Sequence, residues 1–319
     1  MSYTHLTKIE LIFIEEYFSI CLKGRQIAKK LKRGHEAIYR VIRQLKEGKT
    51  AIDIYLEYKK NKQKCGRKPI QLSKDEVDYI NARVEAGWTP DVIVGRKERR
   101  ISCSMRTLYR QFEKGVFKQE KLRMKGKRKP NGHQENRGKQ AFRRSISERD
   151  QEHLYYNNEF GHLEGDTIVG NKHKSAVITL VERLSKCIIA IKPKGRKAQD
   201  IEEALNDWLK GVPRHLFKSI IFDCGKEFSN WKNIGNKHNI DICFADPGTP
   251  SQRRLNENSN GLLRKNGLPK EMDFNCVPQE YISTIASQRN NIPRKSLNYQ
   301  TPIECFMKHV EIETLSCLI

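Results

Sequence analysis

The chain has 319 residues, 61 of them Lys or Arg and 38 Asp or Glu, for a formal net charge of +23. The length predicts two or three domains, and a mean hydropathy of −0.73 with no run of 18 apolar residues excludes a transmembrane helix. The opening MSYTHLTKIELIF lacks the basic-then-apolar layout of a secretory signal, and the nine cysteines form no CxxC pair and no zinc spacing, which suits reduced thiols in a cytoplasm.

So strong a positive balance points to a polyanion partner. Residues 1–149 carry 38 basic against 17 acidic side chains, and residues 150–319 carry 23 against 21. The charge therefore belongs to a front half joined to a near-neutral back half. With no lipidation motif and no strongly amphipathic basic helix, membrane attachment is not expected.

Thr7 to Glu10 is a capping-box pattern that opens a helix through about Ser19. RQIAKKLK (25–32) and HEAIYRVIRQLKEG (35–48) follow, with Ile27, Ala28, Leu31, Ile38, Val41, Ile42 and Leu45 on one helical face. Two short helices around a tight turn are the helix-turn-helix layout, with His35, Glu36, Arg40 and Arg43 facing outward; a plain solvated helix pair is the bland reading. KKNKQKCGRKP (59–69) reads as a basic linker. A second capping box at Ser73–Glu76 starts a helix to about Ala86. Thr89 and Pro90 start another, at N-cap and N1. SMRTLYRQFEKG (104–115) gives a helix with Leu108, Tyr109 and Phe112 inward and Arg106, Thr107 and Arg110 outward, a second helix-turn-helix candidate.

Residues 118–149 hold 12 Lys and Arg against 3 acidic residues. The segment is expected to be extended, serving as a linker and as a strip that tracks phosphates. From about Glu159 the texture changes. HLEGDTIVG (162–170), SAVITLVERL (175–184) and CIIAIKP (187–193) predict an antiparallel meander. KAQDIEEALNDWLKG (197–211) predicts a helix, SIIFDC (219–224) a strand, NWKNIGNKHN a helix and DICFAD (241–246) a fifth strand. Helices at 254–265, at 277–291 and from Thr301 to about Val310 complete the order. Three antiparallel strands followed by strands alternating with helices are the ribonuclease-H-like arrangement, a mixed sheet with helices on both faces.

In that arrangement Asp166 lies in the first strand, Asp223 at the end of the fourth, and Glu257 in the helix after the fifth. Glu257 sits in RLNENSNGLLRK, a poor helix start. Crowded carboxylates raise one another's pKa, and a divalent cation removes that cost. Mg²⁺, or Mn²⁺, suits an all-carboxylate site, and two such ions about 4 Å apart would clamp the attacking and leaving oxygens of a phosphodiester. Glu164 and Glu227 are rival carboxylates near the same motifs. Arg264, seven residues after Glu257, either orients a phosphate or is simply solvated. His162 reads as structural rather than as a general base, which a two-metal site does not need.

GHLEGDTIVG, FDCGKEF, LNENSNGLLRK with the following PK, and NNIPRKSLNYQTPIECF together resemble the insertion-sequence-30 family of bacterial DDE transposases. The 33 residues between Asp223 and Glu257 match the spacing of that family's second and third acids. HLT, GWTPDVIVGR, TLYR and RRSISER extend the resemblance over nearly the whole chain. It implies that Asp166, Asp223 and Glu257 are the catalytic, metal-holding acids. It further implies cleavage of an element's ends and their joining to double-stranded DNA, with the front modules on terminal inverted repeats and at least a dimer at synapsis. The setting it implies is the bacterial cytoplasm, in association with the nucleoid. The expected organisation is a helix-turn-helix domain at 1–58, a linker at 59–70, a second helix-turn-helix domain at 71–117, a linker at 118–157, and an integrase-like core with C-terminal helices at 158–319. Four positions depart from the family: Cys224 stands for the usual Asn, QRRLNEN for a GTNEN lead-in, Ile292 for Arg, and Leu163 for Trp. They bear on the level of activity rather than on its type. A catalytically silent DNA-binding regulator descended from such an enzyme is the alternative, and the presence of all three acids weighs against it. A ribonuclease-H-like nuclease without strand transfer leaves the two front modules unexplained.

Overall fold

A computed structural model describes residues 5–66, 70–118, 122 and 143–310, and the chain divides into two units, Met1–Gln71 and Leu72–Ile319. The first holds α1 (Lys8–Ser19), α2 (Gly24–Leu31), α3 (His35–Lys46) and α4 (Ala51–Lys64). Thr7 and Glu10 close the expected capping box, and Thr50 and Asp53 form another at the start of α4. Ile27, Ala28, Ile38, Val41 and Ile42 are buried together with Leu11, Ile14 and Ile54, as their spacing predicts. A Cβ on Gly24 would lie 2.9 Å from the Tyr39 ring, so the ring would have to shift to admit a side chain there. The expected linker at 59–70 begins instead as helix. Lys59 lies over the Tyr55 ring and Lys62 over the Tyr58 ring, i,i+4 contacts that extend α4 to Lys64.

The second unit begins with α5 (Lys74–Glu85), α6 (Pro90–Arg96) and α7 (Met105–Glu113). Ser73 caps α5 and Ser104 caps α7. Thr89 stands at the N-cap of α6 without a side-chain cap bond, and Pro90 at N1 removes one donor that would need a partner. Leu108 and Phe112 point inward as expected, but Tyr109 does not: it is exposed and its hydroxyl donates to Asp91, because a phenol satisfies its polar end more readily at a surface. Arg96 reaches across to the C-terminal helices, donating to the Tyr299 carbonyl and to both Glu304 oxygens at 2.5–2.9 Å. Gly95 faces the Tyr299 ring at a distance that admits no Cβ.

Helix α8 (Ile146–Glu152) occupies the end of the stretch expected to be a linker, started by a Ser145–Glu148 capping box. Arg144 links its Glu152 to Asp241, and Ser145 bridges to Phe244. The rest of the basic strip, 119–121 and 123–142, lies outside the described residues.

The sheet contains β1 (His162–Val169), β2 (Ala176–Glu182), β3 (Ile188–Ile191), β4 (Ser219–Phe222) and β5 (Asp241–Phe244) in the order β3-β2-β1-β4-β5. β1, β2 and β3 pair antiparallel, while β4 pairs parallel with both β1 and β5, the mixed topology the element order predicts. Alternate strand residues feed two cores. Leu163, Leu180, Ile220 and Phe222 face α9 (Ala198–Lys210) and α10 (Trp231–His238). Ile168, Val181 and Ile188 face α11 (Arg254–Lys265) and α12 (Gln279–Asn290). Leu163 is fully buried in the first core. α13 (Pro302–Phe306) stops short of the expected Val310. His309 donates back three residues to the Phe306 carbonyl and stacks on Phe160, which tightens the last turn out of α-geometry. Among the described residues no helix is long and apolar enough to cross a membrane.

Candidate active site

The sequence GHLEGD places Glu164 and Asp166 on one face of β1, the face that α11 covers. Gly165 between them points the other way, and a Cβ there would meet the Phe222 ring at 2.4 Å. A residue with poor strand propensity is required because the aromatic side chain closing β4 lies against the backbone of β1.

Asp223 follows the last residue of β4, at the carboxyl end of a parallel strand where open α/β sheets gather ligands. Its Oδ1 accepts the Gly225 amide at 3.0 Å. Arg143 holds the outside of this turn through the Asp223 and Gly225 carbonyls, with its guanidinium over Phe244. The end of the basic strip is thereby attached to the turn that carries the acid. Cys224 donates to the carbonyl of Ala245, the residue that follows β5.

The structure brings Asp166 and Asp223 to a single guanidinium. Arg253 Nη1 is 3.5 Å from Asp166 Oδ2, and Arg253 Nη2 is 4.0 Å from Asp223 Oδ2. Burial foremost, and the nearby charges of Asp223 and Glu227, push the Asp166 carboxyl up to about 6 against the pull of Arg253. Glu227 accepts the Thr167 hydroxyl at 3.2 Å, and a Cβ on Gly225 would touch both Glu227 and Asp223. It therefore sits beside the pair.

Glu257 is exposed in the first turn of α11. It joins neither aspartate directly, and the three acids are not among the described groups whose ligand atoms lie within 4.8 Å of one another. Residues on either side of it in the chain nonetheless reach the pair. Arg253, four residues before it, contacts both aspartates, and Asn260, three residues after it, donates to Asp166 Oδ2 at 3.1 Å.

The poor helix start is explained by what it touches. The Asn256 side chain donates to the Glu164 and Thr179 carbonyls at 2.7 and 2.9 Å, and Asn260 accepts the Thr179 hydroxyl at 2.8 Å. Ser259 is buried between them. These small polar residues let the helix lie directly on β1 and β2. α11 has no side-chain cap of its own; Glu164 supplies one from β1, accepting the Leu255 and Asn256 amides at 3.0 and 3.1 Å. Glu164 is 2% exposed and paired with Arg183 at 2.5 Å, so every oxygen is engaged and it holds the helix in place. Sequence reasoning left Glu164 open as a ligand and missed Arg253; the buried i,i+4 pair Asn256 and Asn260 was the available signal for the packing.

Arg264 is half-buried and donates to the Val169 carbonyl at 3.1 Å, so it is not simply solvated. His162 is fully buried, bonded to Ser219 and Glu159, and burial holds its imidazole down at about 4, so it is neutral and structural. His153, Glu159 and His162, and Glu152, His153 and Asp241, are groups with metal-like spacing. Lys218 on Glu159 and Arg144 on Glu152 and Asp241 already neutralise them, at the end of the sheet opposite Asp223. His35, Arg40 and Arg43 are exposed on α3 in the first unit. Arg106 and Arg110 are exposed on α7 in the second, where the Thr107 hydroxyl lies 3.1 Å from the capping Ser104. Ile292, which stands for a family Arg, is buried against Gly87.

No family model matches the chain. It is 32% identical to the "Putative integrase ORF3" of Spiroplasma virus SpV1-R8A2 B, over 97% of this chain and 100% of that one. It is 30% identical to the transposase for insertion sequence element IS4351 of Bacteroides fragilis, over 95% of each. With transposase InsI for insertion sequence element IS30A of Escherichia coli (strain K12) it shares 35% identity over 48% of this chain and 39% of that one. Among solved structures, the catalytic core domain of BIV integrase aligns with 46% of this chain and 93% of its own, at 17% identity and a TM-score of 0.36.

Proposed function

The chain belongs to the insertion-sequence-30 family of DDE transposases, and from that premise we propose that Asp166, Asp223 and Glu257 are its catalytic carboxylates and share divalent metal. The observation that carries this is the placement of Asp166 and Asp223 around one positive charge at the carboxyl end of β4, with the Glu257 face of α11 alongside. The donor set fits hard cations: two buried or half-buried carboxylates already gathered on a guanidinium, a third carboxylate on the adjoining helix turn, and no thiol or imidazole among them. Two Mg²⁺ ions, or Mn²⁺ in their place, would supply activation of the attacking oxygen and stabilisation of the leaving one.

The chain's own residues would do the rest. Asp166, oriented by Asn260, would hold the ions together with Asp223 and Glu257. Arg264 would lie along the phosphate path at the end of β1. His35, Arg40 and Arg43 on α3, and Arg106, Thr107 and Arg110 on α7, would contact the terminal inverted repeats through phosphates and base edges. The basic strip before α8 would track the backbone toward the site that Arg143 adjoins. Two ends must meet for joining, so the working form would be at least a dimer, associated with the nucleoid through its DNA. The division into a front helix-turn-helix module, a second such module and an integrase-like core follows from these roles.

The test is cleavage and joining of a labelled duplex carrying the element's own end, in Mg²⁺ or Mn²⁺. Wild type is expected to nick and join, while Glu257→Gln binds the duplex and does neither. Cleavage that survives Glu257→Gln or Asp223→Ala would remove these residues from the chemistry.

A further inference from the structure

Arg253 is held in an unusual way. It stands at the junction of a short 3-10 turn (Pro250–Arg253) and α11, with its side chain only 12% exposed. Its contacts with Asp166 and Asp223 are 3.5 and 4.0 Å, and its reach to the Gly165 carbonyl is 3.4 Å. Its buried Nε has no hydrogen-bond partner. A charge-assisted Arg–carboxylate bond is about 2.7–2.9 Å long, and Arg183, whose own Nε is likewise unpartnered, reaches Glu164 on the same strand at 2.5 Å. Arg253 is therefore held by the charge of two acids more than by geometry. It takes up the place between the carboxylate oxygens that a cation would use.

We infer that Arg253 is a displaceable stand-in for the metal. It competes with the divalent ion for Asp166 and Asp223, sets the affinity of the site, and swings outward when the ion loads. The inference rests on the metal-site reading above. Two cations cannot share the same oxygens at contact distance without strong repulsion, so the guanidinium and the ion exclude one another. Without Arg253 the two acids would lose the positive charge they share, which destabilises the carboxylate pair itself. The side chain thus serves the fold when the ion is scarce and opposes the ion when it arrives. Arg253 is a positioning residue here, acting through the two aspartates.

The experiment is Mn²⁺ binding by the full-length chain, read from the electron paramagnetic resonance signal of free Mn²⁺, for wild type, Arg253→Gln, Arg253→Lys and Asp223→Asn. Arg253→Gln is expected to bind on the order of tenfold more tightly than wild type, the size of effect that removing a like charge at contact produces. It should also melt at a lower temperature without Mn²⁺ and gain more on its addition. Arg253→Lys keeps the charge and should stay near wild type. A second reading needs no variant: Mn²⁺ should raise phenylglyoxal labelling of Arg253 in wild type, measured by peptide mass spectrometry with exposed Arg254 as internal reference. Equal or weaker binding by Arg253→Gln, or labelling that is unchanged or falls, overturns the inference. Undiminished Mn²⁺ binding by Asp223→Asn overturns the metal-site reading instead, so the two failures are distinguishable.

Discussion

The Asn260 side-chain amide donates to Asp166 Oδ2 across 3.1 Å while its oxygen accepts the Thr179 hydroxyl, so one residue of α11 orients an acid of β1 by leaning on β2. Asn260→Ala removes that support without touching a carboxylate. Stability should fall by about 1–2 kcal/mol in urea, the usual effect of losing buried hydrogen bonds. End cleavage should fall by roughly ten- to a hundredfold through misplacement of Asp166. A variant that lost stability but kept its cleavage rate would show that the bond matters only for packing.

Glu164 and Glu257 make opposite predictions despite lying on adjoining elements. Glu164→Ala strips Arg183 of its buried partner and α11 of its cap, and should cost about 3–5 kcal/mol. Glu257 is exposed, so Glu257→Gln should leave the urea midpoint within about 0.5 kcal/mol while abolishing strand cleavage. Measuring both properties on both variants separates a helix anchor from a ligand. Reversal of the two patterns would exchange their roles.

Acid sensitivity should carry the signature of His162. Its imidazole titrates near 6.5 when unfolded and is held down at about 4 by burial. Between those values the unfolded chain binds a proton that the folded chain refuses, so stability present above pH 6.5 is lost as pH falls toward 4. Asp166 acts in the opposite sense. Raised from 3.8 to about 6, it favours the folded state at low pH, and that contribution disappears as pH rises through 6. His162→Gln should therefore lose less stability than wild type between pH 7 and pH 5, and Asp166→Asn more, in chelator-treated protein. Parallel urea midpoints for all three proteins across that range would contradict both assignments.

The exposed arginines of α3 and α7 should reveal themselves by salt. Alanine at Arg40, Arg43, Arg106 or Arg110 should weaken binding to the element's end and, where the contact is to phosphate, reduce the slope of log affinity against log salt by about one. A residue that reads a base should instead lower discrimination between the end and random duplex. Binding isotherms at several KCl concentrations on both duplexes decide each case; a residue that changes neither quantity touches no DNA.

Much of this was legible in the residues because the period of burial is local. Ile38, Val41 and Ile42 announce their helix, and the alternation around Leu180 and Val181 announces a strand buried on both faces. The elements that carry the acids at 166, 223 and 257 could be placed because strand order follows from element order. What stayed hidden depends on partners brought from afar. Nothing near Glu164 shows that it caps a helix about ninety residues later, and nothing in QRRLNEN shows which of its two arginines turns inward to the aspartates. Helix α8 was obscured by the charge around it, since its packing partner, Asp241 with the end of β5, lies far downstream. Tyr109 misled for a different reason: an amphipathic ring fits a core and a surface equally well until its hydroxyl finds Asp91.

The clasp between Arg96 and Glu304 has a consequence for how the molecule is made. Helix α6 leans on residues about two hundred positions downstream, through Gly95 on Tyr299 as well as through the ion pair. On the ribosome, the residues of the first unit's described core, Leu11 to Ile54, are all made long before synthesis ends. The second unit reaches its final packing only after the last helices emerge. A message broken between the first unit and the last helices yields a protein whose second unit is unfinished, and a fragment cut at the seam between helices and sheet would inherit the same defect.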